Sequence, residues 1–272
     1  MAYTPLQMAD AFIQAGELPD ALDALNQHLQ DHPDDAAALR LRISVQLRMG
    51  DEESLLAALV DTESLAQKSA EDYQQISVIQ QRLGNLGAAE DAMRAALGLA
   101  PGDVRMSERL VDLLQQEGEL QGALEIVREQ ERSWKWLQWE GDLLAQLGDH
   151  TMATARYGLA LAQLSEYEGQ MRMDYLQALQ ARLLLARADS YRHLGQYDVS
   201  RQHYEEAQKL LPEDPAIAFN LGILAALSGE LAAGVAQCRT ALQSAPDAMR
   251  QEMLTSVQKD PSLAELAQSL EA

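Results

Sequence analysis

The chain has 272 residues, and its 42 acidic against 21 basic residues give a formal charge of -21. Alanine, leucine, glutamine and glutamate dominate, whereas aromatic residues make up only 5%, so the composition favours helices over sheets. A field this negative would repel a phosphate backbone, and we expect no nucleic-acid partner.

The start of the chain and its cysteine content predict a cellular compartment. The first 20 residues lack a basic segment followed by an apolar run, which predicts no secretory signal. No later stretch reaches the roughly 18 uncharged apolar residues of a membrane span. The single cysteine, Cys238, excludes an internal disulfide and a thiolate metal cluster. We therefore expect a soluble cytoplasmic protein.

A glycine followed by a polar residue recurs along the chain. It stands at Gly16, Gly50, Gly84, Gly118, Gly148, Gly195 and Gly229. The intervals between neighbours are 34, 34, 34, 30, 47 and 34 residues. Glycine suits the left-handed residue that closes a helix, and apolar residues on either side recur at spacings of three and four. The pattern predicts units of a first helix (helix A), a glycine turn and a second helix (helix B).

Residues at fixed distances after each glycine support this pairing. The fifth residue, where two helices would cross, is small in six of seven units: Ala21, Leu55, Ala89, Ala123, Ala153, Ser200 and Gly234. The seventeenth is proline in four units, at Pro33, Pro101, Pro212 and Pro246, and proline ends a helix. One such pair cannot bury its apolar stripe alone, so the units must stack.

The period and spacing resemble the tetratricopeptide repeat, whose pattern is W-x2-L-G-x2-Y followed by A, F and P. The last unit matches at Leu221, Gly222, Ala241 and Pro246, and the sixth at Tyr191, Tyr204, Ala207 and Pro212. No unit carries the leading tryptophan. The resemblance implies an all-α, right-handed α-solenoid of about seven repeats with a C-terminal capping helix. We expect a single repeat domain over 1–272, with repeats at about 2–35, 36–69, 70–103, 104–133, 134–180, 181–214 and 215–248 and a cap at 249–272.

The array breaks its period between Gly118 and Gly195. The fourth unit is four residues short, which predicts a clipped helix B ending near Glu131, and the next interval is thirteen residues long. Residues 166–183 contain no proline and keep helical apolar spacing, so we expect a lengthened, protruding helix pair there.

Three tryptophans, Trp134, Trp136 and Trp139, precede this insertion. They could fill the packing gap left by the short helix, or they could form an aromatic anchor for a partner. By register, Trp139 lies nearest the groove. The C-terminal residues Met253, Val257, Leu263 and Leu266 have helical spacing, interrupted at Asp260-Pro261, and predict the cap.

In the family this chain resembles, the face lined by the A helices commonly receives a peptide. Helical register places these candidate protein-binding residues on that face: Arg40, Arg48, Gln74, Arg82, Arg105, Asp112, Gln138, Trp139, Asp142, Asp189 and Arg192. Arginine suits a carboxylate or carbonyl of a bound peptide. Alternatively, Arg82 and Arg105 pair with Asp112 and other acids between repeats.

The sequence contains no phosphate loop, GxSxG, HExxH or CxxC motif, so we expect no enzyme, no cofactor and no metal. His28 and His32 are four apart but lack a third ligand. The leading hypothesis is an adaptor or scaffold that binds a protein or peptide segment in the groove. The alternatives are a secretion or assembly chaperone and a self-assembling scaffold, for which homo-oligomerisation is possible.

Overall fold

The computed structural model describes residues 4–271, so residues 2–3 of the first predicted repeat and residue 272 of the cap lie outside it. Within the described residues the protein is all-helical and contains no strand. Its contacts group the chain into two compact units, divided between Ile126 and Val127. The single repeat domain over 1–272 therefore stays a prediction, and each unit is described by itself.

The first unit is built from consecutive antiparallel helix pairs. Its helices are α1 (Pro5–Ala15), α2 (Leu18–Asp31), α3 (Ala36–Met49), α4 (Glu52–Ser64), α5 (Ala70–Arg82), α6 (Leu86–Leu99), α7 (Val104–Glu117) and α8 (Leu120–Glu129), the last of which runs past the division. The odd-numbered helices are helix A of each repeat and the even-numbered are helix B. A continuous core of alanine, leucine, isoleucine and valine side chains joins α1 to α5.

The second unit continues the same alternation. Its helices are α9 (Trp134–Gln146), α10 (His150–Ser165), α11 (Met173–His193), α12 (Tyr197–Leu210), α13 (Pro215–Leu227), α14 (Leu231–Ser244), α15 (Asp247–Lys259), a 3-10 helix (Pro261–Leu263) and α16 (Ala264–Glu271).

The turn glycines and the crossing residues are confirmed. All seven glycines that set the register have positive φ, between 70° at Gly195 and 92° at Gly229, a region that side chains with a Cβ avoid. All seven crossing residues are buried. The B helices α2, α6, α12 and α14 each end before the proline that follows them. Local chemistry therefore dictates where these helices end.

Polar residues fix where several A helices begin. Asp35, Ser69, Asp103 and Asp214 each accept a hydrogen bond from a backbone N–H in the first turn of the helix that follows. Such N-caps contribute about 1 kcal/mol each.

The break in the period has the predicted cause. α8 has 10 residues and ends at Glu129, whereas α11 has 21. α11 begins at Met173, eight residues before the predicted repeat boundary at 181. The prediction of helix over 166–183 is wrong for residues 166–172, which form the turn that precedes α11. Tyr167, Met173 and Tyr175 are exposed around that turn.

The C-terminal segment covers the last helix pair as expected for a cap. Met253, Val257, Leu263 and Leu266 are buried against Phe219 and its neighbours on α13 and α14. Cys238 is fully buried in the same cluster, where burial raises the pKa of its thiol to about 12. None of the described helices is both long and apolar enough to span a membrane.

Candidate functional site

Arg40 is engaged within the protein. Its guanidinium donates to both carboxylate oxygens of Asp72, from Nε at 2.8 Å and from Nη2 at 2.7 Å, and so links α3 to α5. The Asp72 side chain is only 3% exposed, and it also accepts from the backbone N–H of Ser69 in a capping box. Hydrogen bonds from Arg40 hold the pKa of Asp72 below its ordinary value. Arg40 therefore has a structural role.

Arg82 also bonds within the first unit, but to a neutral acceptor. Its Nη1 donates to the carbonyl oxygen of Leu47 at 2.7 Å, in the last turn of α3. On the other side of α5, Nη2 of Arg109 on α7 donates to Gln81 Oε1 at 2.9 Å. These bonds tie α5 to both neighbouring A helices, while Arg82 keeps an exposed side chain and an uncompensated positive charge.

Arg48 and Arg105 are exposed, and neither side chain makes a hydrogen bond or ion pair with residues 4–271. Arg82 and Arg105 are thus not ion-paired with Asp112 or another acid in this part of the chain, contrary to the alternative raised by the sequence. Gln74 is half-buried on α5 and Asp112 is exposed on α7.

The first unit segregates its charges between the two kinds of helix. The A helices α3, α5 and α7 together carry six arginines and five acidic residues. The B helices α2, α4 and α6 carry one arginine and nine acidic residues. The A helices therefore supply most of the exposed arginines of a strongly acidic unit.

In the second unit, the predicted aspartates accept hydrogen bonds from buried tyrosines of their own repeat. Tyr157 Oη donates to Asp142 Oδ1 at 2.8 Å, and Tyr204 Oη donates to Asp189 Oδ1 at 2.5 Å. Burial raises the pKa of Asp142 although the Tyr157 hydroxyl opposes this. Each pair spans 15 residues, from helix A to helix B of one repeat.

Gln138 and Trp139 on α9 are also partly engaged. With its amide oxygen turned towards Arg182, buried Gln138 accepts from the guanidinium at 3.1 and 3.2 Å. The rings of Trp136 and Trp139 lie 5.1 Å apart, and Lys135 Nζ lies 5.7 Å from the centroid of the Trp139 ring. Trp136 is buried and Trp139 half-buried, so the packing and anchor roles of the tryptophans both stay predictions.

Arg192 lies at the end of α11, with its side chain only 15% exposed. Its nearest carboxylate oxygens belong to Asp260, 3.5 Å from Nη1, and Asp189, 3.6 Å from Nε. The rings of His150 and His193 stack beside it with centroids 4.5 Å apart. Burial, and then the charge of Arg192, lowers the pKa of both histidines, so both are neutral at pH 7.

Sequence reasoning missed a buried carboxylate, Glu140 on α9. Arg128 Nε donates to its Oε1 at 3.0 Å and Arg156 Nε to its Oε2 at 2.6 Å. The two arginines lie 12 residues before it and 16 residues after it, on different helices. Such separations carry no local signal, so this cluster could not be read from the chain.

The two early histidines bond locally. His28 Nε2 lies 2.8 Å from Asp35 Oδ2, and the rings of His28 and His32 are 4.9 Å apart. Among the described residues, no three or more histidine, cysteine or acidic side chains are placed to hold a metal ion.

Comparison with known proteins identifies the family. The tetratricopeptide repeat model matches residues 6–59, 79–135 and 185–248, most of the chain, and the protein belongs to the tetratricopeptide repeat family. Members of this family are generally protein-interaction modules rather than catalysts, which supports a protein-interaction scaffold in general. None of the curated proteins compared matches the sequence.

Three solved structures show the similarity in fold. The C-terminal part of a repeat protein from Cytophaga hutchinsonii has a TM-score of 0.64 at 12% identity, covering 95% of this chain and 97% of its own. A repeat protein from Parabacteroides merdae has a TM-score of 0.53 at 15% identity, with 98% of each chain covered. YrrB, described as having an unusual peptide-binding site, has a TM-score of 0.50 at 13% identity, covering 76% of this chain and 100% of its own.

Proposed function

We propose that the protein is a non-catalytic scaffold that binds a protein or peptide segment along the A helices of its first unit. The observation that carries this proposal is the charge segregation of that unit, where Arg48, Arg82 and Arg105 remain without ion pairs among the described residues. Exposed guanidinium groups are ready to donate to carbonyl or carboxylate groups of a partner. The peptide-binding site named for YrrB is consistent with such a use of this fold.

The remaining candidate residues have two different roles in this proposal. Arg40, Asp142 and Asp189 mainly hold helices together, whereas Gln74, Asp112, Gln138, Trp139 and Arg192 stay candidates for partner contact. A cytoplasmic location, the absence of a nucleic-acid partner and a chaperone role rest on composition and also stay predictions.

The test compares a double charge reversal on the A helices with a single charge reversal on a B helix. Affinity capture with quantitative mass spectrometry would be carried out with the wild type, with the double variant Arg48→Glu/Arg105→Glu, and with Arg94→Glu. Arg94 is the control because it lies on helix B, α6, and pairs with Glu90 on the same helix. We expect the double variant to lose partners that the wild type and the control retain. Equal recovery by all three proteins would refute binding at this face.

A self-assembling scaffold is the second candidate, favoured by the exposed apolar and aromatic side chains around the turn at 166–172. Light scattering over a concentration series would detect an oligomer, and Met173→Ser/Tyr175→Ser should dissociate it. A monomer at all concentrations would remove this candidate.

A further inference from the structure

The second unit contains a cleft that the proposed function does not use. It lies between the turn joining α11 to α12, the end of α13 and the C-terminal cap, and its volume is about 580 Å³. Arg192, Lys259, Asp260, Tyr197 and Leu227 are among the residues that line it. A volume of this order accommodates a ligand the size of one or two amino acids.

One end of the cleft is cationic. The guanidinium of Arg192 is mostly buried and stands beside Asp189, which Tyr204 also engages, so its position is fixed before any ligand arrives. Its contacts with Asp189 and Asp260, at 3.6 and 3.5 Å, are longer than the 2.7–2.9 Å of a close charge-assisted bond. Lys259 is exposed and makes no side-chain hydrogen bond or ion pair within residues 4–271. Arg192 Nη2 also lies 3.3 Å from His193 Nε2. Because each terminal nitrogen of Arg192 carries a second N–H and Lys259 carries three, both cations retain donors for an incoming anion.

The carboxylates near this end are already engaged. Asp260 Oδ1 accepts from the backbone N–H of Ser262 at 2.9 Å and from its hydroxyl at 2.6 Å, because Asp260 caps the 3-10 helix. Asp189 accepts from Tyr204. His193, which also lines the cleft, is neutral at pH 7 because burial lowers its pKa.

A second cavity of about 360 Å³ lies next to the cleft, and the two share the lining residues Leu227, Pro261 and Ser262. Ala226, Leu227 and Leu231 contribute half-buried apolar side chains to this cavity, whereas Leu263 and Leu266 are almost fully buried behind it. Its one charged lining residue is Glu265, which would repel an anion and so favours a ligand with its charge at the Arg192 end.

We propose that these adjacent cavities bind a carboxylate attached to a large apolar side chain, as presented by a protein segment. Arg192 and Lys259 bind the carboxylate, and the side chain packs against Ala226, Leu227 and Leu231 in the second cavity. The carboxylate can belong to the chain terminus or to an acidic residue next to an apolar one, since the two present the same groups. This site is separate from the arginine-bearing helices of the first unit.

The test uses small probes on the full chain. N-acetyl-leucine and the dipeptide N-acetyl-Asp-Leu-amide would be titrated into isotope-labelled protein at constant ionic strength, with the backbone amides of Gly195 and Ser262 as reporters. We expect saturable shifts with at least one of them, and saturation by one alone tells a terminal carboxylate from a side-chain one. N-acetyl-leucinamide, which lacks the charge, and N-acetylglycine, which lacks the side chain, should each bind about tenfold more weakly or worse.

Matched variants separate this site from a general charge effect. Lys259→Gln should weaken binding about threefold to tenfold, whereas Lys209→Gln, an equal change of an exposed lysine on α12, should leave it unchanged. Arg192→Gln should abolish saturation, and if that variant fails to fold, the lysine pair decides. No saturable shift with either carboxylate probe, or equal affinities of the two lysine variants, would overturn the proposal. Neither result bears on the arginine variants of the first unit.

Discussion

At the residue scale, carboxylates of low exposure are held by arginines from other helices. Asp61 on α4 accepts from Arg42 on α3, Asp72 accepts from Arg40, and Glu140 accepts from two arginines at once. Removing one partner of such a cluster leaves uncompensated charge in a region of low dielectric constant. These ion pairs matter for stability, although the sequence analysis predicted none of them.

Glu140→Gln is therefore expected to lower the free energy of unfolding by about 2–4 kcal/mol, since it removes the shared acceptor of Arg128 and Arg156. Urea unfolding followed by circular dichroism measures the change. Glu131→Gln, at an exposed position nearby, is the control and should stay within about 0.5 kcal/mol of the wild type. A similar small effect at both positions would show that the buried cluster does not stabilise the unit.

At the element scale, the helices were predictable because the turn glycines, the prolines and the crossing residues act locally. Gly222, which matches the family's leucine-glycine pair, is one such position. At this residue α13 and α14 approach so closely that a Cβ would lie 2.6 Å from Cys238 Sγ. The start of α11 at Met173 was missed because the apolar residues of 166–183 have helical spacing throughout. The one local signal for the turn is Gly169, which has a φ of 78°. The pairing of Arg40 with Asp72, 32 residues apart, depends on stacking and could not be read from either helix.

Substituting alanine for glycine should have opposite effects on stability at this close crossing and at an open helical position. A Cβ at Gly234 would lie 2.5 Å from the carbonyl oxygen of Gly222, so Gly234→Ala should destabilise the protein by about 1–3 kcal/mol or more. Gly98, on α6, has no atom within 4 Å of the equivalent position. Gly98→Ala should stabilise by about 0.5–1 kcal/mol, since alanine favours the helix. Thermal midpoints of the two variants should move in opposite directions, and a midpoint of Gly234→Ala at or above that of the wild type would show that this crossing is looser than described.

At the scale of the whole molecule, the acidic excess opposes folding through self-repulsion. The thermal midpoint should therefore rise by about 2–5 °C as sodium chloride increases from 10 to 300 mM, because the Debye length falls from about 30 Å to under 10 Å. Differential scanning calorimetry would measure it. A midpoint that fell with salt would mean that the ion pairs outweigh the repulsion.

The buried thiol of Cys238 can report when the capped end of the chain opens. It is the chain's single cysteine, it is fully buried among α13, α14 and the cap, and its raised pKa keeps it protonated. A thiol reagent therefore reacts only when this region opens, and the labelling rate at increasing reagent concentration measures how often it does. The rate of local opening of the last repeat can thus be measured at its native cysteine, without an engineered label.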